Sequence, residues 1–192
     1  MLNQSKQKVP EKYSAISEAT KVSDFPMSSD ITTCGLLRTL AATKLSSKFL
    51  ELGTGTGLST SWILDGMDQE SSLISVDNDE AYLKIAEQHI GSDSRLSLIL
   101  SDAGTWIERY KYLKFDYIFA DTWHGKYLLL DEVLSMLNRG GLYIIDDMLP
   151  QANWPDDHYE KAVKLVNELE SKDDILITKQ DWATGVIIGV KR

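Results

Sequence analysis

The chain is poor in cysteine: one residue, Cys34, in 192. A single thiol cannot close an internal disulfide, so no oxidising compartment is implied and the core must hold without staples. No apolar run approaches the length needed to cross a bilayer. The opening residues, "MLNQSKQKVPEKYSAISEAT", are polar and lack the apolar centre of a secretory signal. A soluble, cytoplasmic protein with no membrane partner is the resulting expectation. Dense Lys/Arg clusters are also missing. With 29 acidic and 20 basic residues the net charge is −9, which disfavours nucleic acid as a partner, because phosphate binding needs a local positive field. The acidic excess serves solubility, or gathers carboxylates around a cation. Repeats, low-complexity segments and linkers are absent too, which points to one domain over residues 1–192 with a core of ordinary size.

What is present is alternation. Residues 1–10 show no periodicity and read as a disordered lead-in. The segment 11–45 reads as N-terminal helices packing on the core, one over about 11–20 and one within "SSDITTCGLLRTLAAT". Strand-like runs follow at 49–52, 73–76, 96–100, 115–120 and 142–146, with helical patterns near 58–67, 79–90, 104–112 and 125–138. Such alternation predicts an α/β fold with a parallel sheet and right-handed crossovers. After a helix starting near Asp156, "ILIT" (175–178) and "GVIIGV" (185–190) lie too close for a crossover helix. They should pair antiparallel, one of them inserted beside the fifth strand.

The stretch "FLELGTGTGLS" (49–59) places Gly53, Gly55 and Gly57 directly behind the first strand. Glycines there let the backbone turn tightly and approach a ligand, and the following helix offers free N–H groups. A dinucleotide fingerprint wants its third glycine where Leu58 stands, which counts against a nicotinamide cofactor. "LISVDND" ends the second strand in Asp77, an acid suited to the two hydroxyls of a ribose, or simply a turn residue. "LILSDAGTW" puts Asp102 after the third strand. It could accept from an adenine amino group or cap the next helix.

Together these motifs resemble those of the class I S-adenosylmethionine-dependent methyltransferases over about residues 47–141. "LELGTGTG" is similar to their first motif, "SVDND" to the second and "SDA" to the adenine motif. The resemblance implies a Rossmann-like, mostly parallel seven-stranded sheet of order 3-2-1-4-5-7-6 with helices on both faces and an antiparallel last strand. It implies S-adenosylmethionine as cosubstrate. Glu51, Gly53, Thr54, Gly55, Gly57 and Ser59 would surround its methionine half, Asp77 and Asn78 the ribose, and Asp102 and Ala103 the adenine. Met27 and Ser28, in "DFPMSSD", are carried over as cofactor contacts, as is Asp121.

Asp121 ends the fourth strand in "FDYIFADTWHGKY", and Asp146 and Asp147 end the fifth in "GGLYIIDDMLP". This layout resembles the catechol and caffeoyl-CoA O-methyltransferase group, which implies a divalent metal such as Mg²⁺ on Asp121, Asp146 and Asp147. The resemblance also implies a catalytic role for Asp121, and a small hydroxylated, catechol-like acceptor. Asp147 departs from the group, which has Asn there, and the acidic pair could equally be a polar strand end. The resemblance puts His124 where the group has a catalytic lysine. His124 or Lys126 would take the acceptor's proton, and a neutral histidine needs no shifted pKa to do so. Trp123, Tyr127, the 153–155 segment (Asn153, Trp154, Pro155) and Trp182 are candidate acceptor walls. His89 and His158 read as ordinary helix residues. A metal-independent methyltransferase acting on O, N or C, or a cofactor-binding protein without turnover, stay open. So does a homodimer through the outer faces of the 29–43 helix and the last strands.

Overall fold

Glu51, in the middle of the first strand, is wholly buried while its neighbours Leu50 and Leu52 face the opposite layer. That alternation on a central strand covered on both faces organises the molecule, seen here as a computed structural model that describes residues 7–151 and 154–192. The helices α1 (Tyr13–Val22) and α2 (Ile31–Ala41) precede β1 (Lys48–Leu52). Then come α3 (Leu58–Gly66), β2 (Ser72–Asp77), α4 (Glu80–Ile90), β3 (Leu96–Leu100), α5 (Ala103–Tyr110) and β4 (Phe115–Ala120). The chain continues through α6 (Leu130–Ser135), β5 (Leu137–Ile145), α7 (His158–Glu170), β6 (Ile175–Gln180) and β7 (Val186–Lys191).

The sheet has seven strands in the order β3-β2-β1-β4-β5-β7-β6, as expected. β1 pairs in parallel with β2 and β4, β2 with β3, and β4 with β5, while β7 runs antiparallel to both β5 and β6. Two apolar layers flank it. On one side Ile16, Leu37, Ile63, Leu64 and Ala86 from α1–α4 cover Phe49, Leu73, Tyr117 and Ile144. On the other Trp106, Ile107, Val133, Leu134 and Leu165 from α5–α7 cover Leu50, Leu52, Ile118 and Tyr143. Asp30 caps α2 by accepting from Thr32 N–H, and Asp79 caps α4 by accepting from Ala81 and Tyr82 N–H.

Strand order reverses between β1 and β4, which opens a crevice at the carboxyl ends of the strands. The loops after β1, β2, β4 and β5 meet there. One of them departs from expectation. The helical pattern over 125–138 yields only α6, because Gly125 (φ 90) and Leu129 (φ 57) adopt left-handed backbone that no helix can carry. Instead 123–128 folds back on itself, with Tyr127 and Leu128 N–H both donating to Trp123 O. The expected 142–146 strand also differs. β5 starts at Leu137, with a register shift against β4, and stops at Ile145, which leaves Asp146 on the loop. The lead-in expected over 1–10 is described only from residue 7, and residues 7–10 have no regular structure. Among the described residues no helix is long and apolar enough to cross a membrane.

Candidate active site

The glycine loop is built for closeness. Gly53 has φ 104, and a side chain there would bring its Cβ to 2.9 Å from Thr122 Cγ2 and 3.0 Å from Asp121 O. Only a residue without Cβ lets the β1 and β4 loops touch. Gly57 (φ 91) meets the other constraint: its missing Cβ would lie 3.0 Å from Ala86 Cβ on α4. Gly57 is therefore a helix-packing glycine, and neither it nor Glu51 reaches the cavity wall.

Glu51 lies beneath the loop. Its Oε1 accepts from Ser59 Oγ (2.7 Å), and its Oε2 accepts from Thr60 Oγ1 and Ser75 Oγ (2.6 Å each). Burial pushes its pKa up to about 7 against the opposing effect of those three hydroxyls. Asp77 holds the loop from the side. Its Oδ2 accepts from Gly55 N–H (2.7 Å) and its Oδ1 from Asp79 N–H (2.8 Å).

Above this support lies a cavity of ≈ 310 Å³. Met27, Ser28, Gly53, Thr54, Gly55, Ser59, Asp77, Asn78 and Asp121 line it, all singled out from sequence. Phe25 and Tyr82, with ring centroids 4.6 Å apart, also line it and were missed. The available signal for Tyr82 was an aromatic residue in the first turn of the helix after Asp77. Asp102 and Ala103 lie outside the lining. Asp102 caps α5, its Oδ1 accepting from Thr105 N–H (2.8 Å), with its side chain half exposed.

A second cavity of ≈ 410 Å³ adjoins the first, sharing the 27–29 segment and Asp121, Thr122, Trp123 and Asp147 with it. Lys126, Tyr127, Asp146, Trp154, Pro155, His158 and Thr184 complete much of its wall. Lys126 is buried (4 % exposed), and its Nζ donates to Asp146 O at 2.7 Å. Asp146 Oδ1 accepts from Thr184 Oγ1 (2.5 Å) and from Asp147 N–H (2.8 Å), while Asp147 itself adopts φ 56. Burial raises the pKa of Asp121 to about 7. The Lys126 charge works against that rise, and Asp146, Asp147 and Glu51 add to it.

His158, expected to be an ordinary helix residue, is 8 % exposed and stacks on Trp154 at 4.1 Å. It hydrogen-bonds Tyr127 Oη at 3.0 Å. Among the described residues its buried Nδ1 has no hydrogen-bond partner. Burial, with Lys126 and Lys161, lowers its pKa, which favours the neutral ring. Burial and Asp147 push the Tyr127 phenol up to about 12.

His124 goes elsewhere. Its ring packs against Gly104, and its Nδ1 stands 3.8 Å from Asp102 Oδ2, outside both cavities. Trp182 also turns away, donating to Gln180 Oε1 at 2.9 Å. Asn153 lies outside the described residues. The three carboxylates expected to hold a metal share one cavity. Yet among the described residues no three His, Cys, Asp or Glu side chains converge as a ligand set. The Lys126 ammonium lines the same cavity and is held by the Asp146 backbone carbonyl.

A family model described as a methyltransferase domain matches residues 50–148, from β1 through the acidic pair. The chain belongs to this methyltransferase family. The curated "O-methyltransferase hkm8" of Aspergillus hancockii is 29 % identical over 136 residues, which are 63 % of this chain and 53 % of that protein. The chain thus spans about half the length of that relative. Among solved structures, the O-methyltransferase from Bacillus cereus in complex with SAH superimposes with a TM-score of 0.82 at 18 % identity, covering 96 % of this chain and 92 % of that one. The O-methyltransferase TomG from Streptomyces achromogenes, solved with SAM, gives 0.81 at 18 % identity over 96 % and 91 %. These two establish a shared methyltransferase fold.

Proposed function

We propose that this methyltransferase domain transfers the methyl group of S-adenosylmethionine to an oxygen of a small hydroxylated acceptor. The observation that carries the reading is the pair of adjoining cavities at the strand ends. One lies over a glycine loop, and the other is lined by carboxylates and aromatic rings, with the 27–29 segment, Asp121, Thr122, Trp123 and Asp147 as the common wall. Cosubstrate would lie in the first, its ribose toward Asp77 and Asn78 and its amino-acid end over Gly53, Thr54 and Gly55. Its sulfonium would face the common wall, where Asp121 offers a carboxylate. Two methyltransferases of the same fold, solved with SAH and SAM, support that placement.

The sulfonium methyl is already activated, so the chain's own task is alignment and exclusion of water. Trp123, Trp154 and Tyr127 supply apolar walls against which a planar acceptor can lie, and the neutral phenol and imidazole of Tyr127 and His158 add no charge. The expected divalent metal does not fit the residues present. Asp146 Oδ1 already accepts two hydrogen bonds, no ligand set converges among the described residues, and Lys126 brings a positive charge into the cluster. No step is therefore assigned to a metal, and His124, outside the acceptor cavity, is not assigned the proton.

The test is methyl transfer from S-[methyl-³H]adenosylmethionine to a panel of phenols and hydroxylated acids, with SAH formation followed in parallel. Label moving to an acceptor oxygen supports the reading. Tight SAH binding with no transfer to any hydroxylated acceptor would favour a cofactor-binding protein without turnover.

A further inference from the structure

Lys126 is the one group at the strand ends that a metal-centred site would not want. It leaves the β4 loop and buries its side chain to 4 % exposure. Its ammonium lies on the wall of the second cavity, which Asp121, Asp146 and Asp147 also line, and its positive charge acts on the Asp121 and Asp146 carboxyls. One of its three N–H donors goes to Asp146 O at 2.7 Å. Among the described residues the other two have no hydrogen-bond partner. A buried ammonium left with spare donors beside a cavity is a site for an oxygen ligand. The loop that delivers it is specifically shaped. Gly125 and Leu129 take left-handed backbone on either side, and Gly125 O accepts from the buried Tyr143 hydroxyl.

We propose that the Lys126 ammonium occupies the place of a divalent cation in this site, so that the chain binds and charges its acceptor oxygen without metal. The proposal rests on the methyl-transfer reading above for the nature of the acceptor, and on the Lys126 geometry alone for the exclusion of metal. The Lys126 ammonium donates a hydrogen bond to the acceptor oxygen. A phenolic acceptor binds there as its oxyanion, having released its proton to bulk water. The oxyanion's electron pair forms the C–O bond to the methyl carbon, the C–S bond breaks, and its pair goes to sulfur. A sulfonium and an oxyanion become a neutral thioether and an ether. Specificity changes with the cation. A metal that chelates its substrate selects two vicinal oxygens, whereas an ammonium is a point charge that needs only one. Acceptors with a single hydroxyl therefore fit this site as well as catechols do.

The experiment is calorimetric titration of Mg²⁺ and Mn²⁺ into the full chain, with and without saturating SAH, for wild type, Lys126→Met, Lys126→Gln and Lys126→Arg. Wild type and Lys126→Arg should show no saturable binding at millimolar metal. Lys126→Met and Lys126→Gln, with the charge gone and the carboxylates kept, should gain about tenfold or more in metal affinity. Submillimolar binding of Mg²⁺ by wild type overturns the proposal, as does failure of both neutral variants to gain affinity. Should one neutral variant not fold, the other and the wild type still decide. Loss of SAH binding by wild type would count against the methyl-transfer reading, and the metal arms run without cofactor would stand on their own.

Discussion

The two halves of the crevice treat their polar groups in opposite ways. In the β1–β2 half, Glu51 takes three hydroxyl hydrogen bonds and Asp77 takes two from backbone, so the glycine loop is held in place before any ligand arrives. In the β4–β5 half, among the described residues, Lys126 keeps donors without hydrogen-bond partners and His158 Nδ1 is buried alone, while Asp147 sits in left-handed backbone. Polar groups satisfied by the chain itself give a rigid cradle that suits one invariant ligand. Groups left unsatisfied wait for a ligand to complete them. This contrast supports the proposed reading, in which the first half takes the cosubstrate and the second the acceptor.

Substitutions can break this contrast, and the largest effect belongs to the cradle. Gly53→Val puts a β-branched residue at φ 104, with its Cβ 2.9 Å from Thr122, and should weaken SAH binding by about a thousandfold by calorimetry. Glu51→Ala orphans the buried Ser59 and Thr60 hydroxyls, Ser75 keeping Thr54, and should cost about 3 kcal/mol in urea unfolding. The same group carries a pH signature. Its folded pKa, about 7, lies above the ordinary value of 4.5, so the folded state holds the proton more tightly. That contribution to stability is fully present below pH 4.5 and is lost as pH rises through about 7. Asp121 acts in the same direction. Glu51→Gln should therefore gain stability relative to wild type as pH goes from 5 to 8, which paired denaturation curves at those pH values would show.

On the acceptor side the effects are smaller and fall on a different ligand. His158→Ala removes the stack with Trp154 and the Tyr127 hydrogen bond. It should raise the acceptor KM by about tenfold while SAH affinity stays unchanged. Asp102→Ala, a lost helix cap, should cost about 1 kcal/mol of stability and alter SAH affinity by less than about threefold.

The fold was legible because buried parallel strands write themselves as short apolar runs, and because 175–178 and 185–190 are too close for a crossover. The glycine loop was legible for a similar reason: its backbone demand admits few residues. Roles that depend on where a loop turns were not. His124 and Lys126 stand two positions apart, and the left-handed Gly125 between them sends one ring to Gly104 and the other side chain to the second cavity. His158 looked ordinary because its partners, Trp154 and Tyr127, are respectively in the preceding loop and 31 positions away. Asp102 fitted two roles from sequence, and its geometry is that of the cap.

The cradle itself is tested most directly by calorimetric titration of the wild-type chain with S-adenosylhomocysteine, alongside Gly53→Val. Saturable one-to-one binding at micromolar concentration, abolished by the substitution, is the result that the two-cavity account predicts. No saturable heat at millimolar ligand, or equal binding by the valine variant, would contradict it.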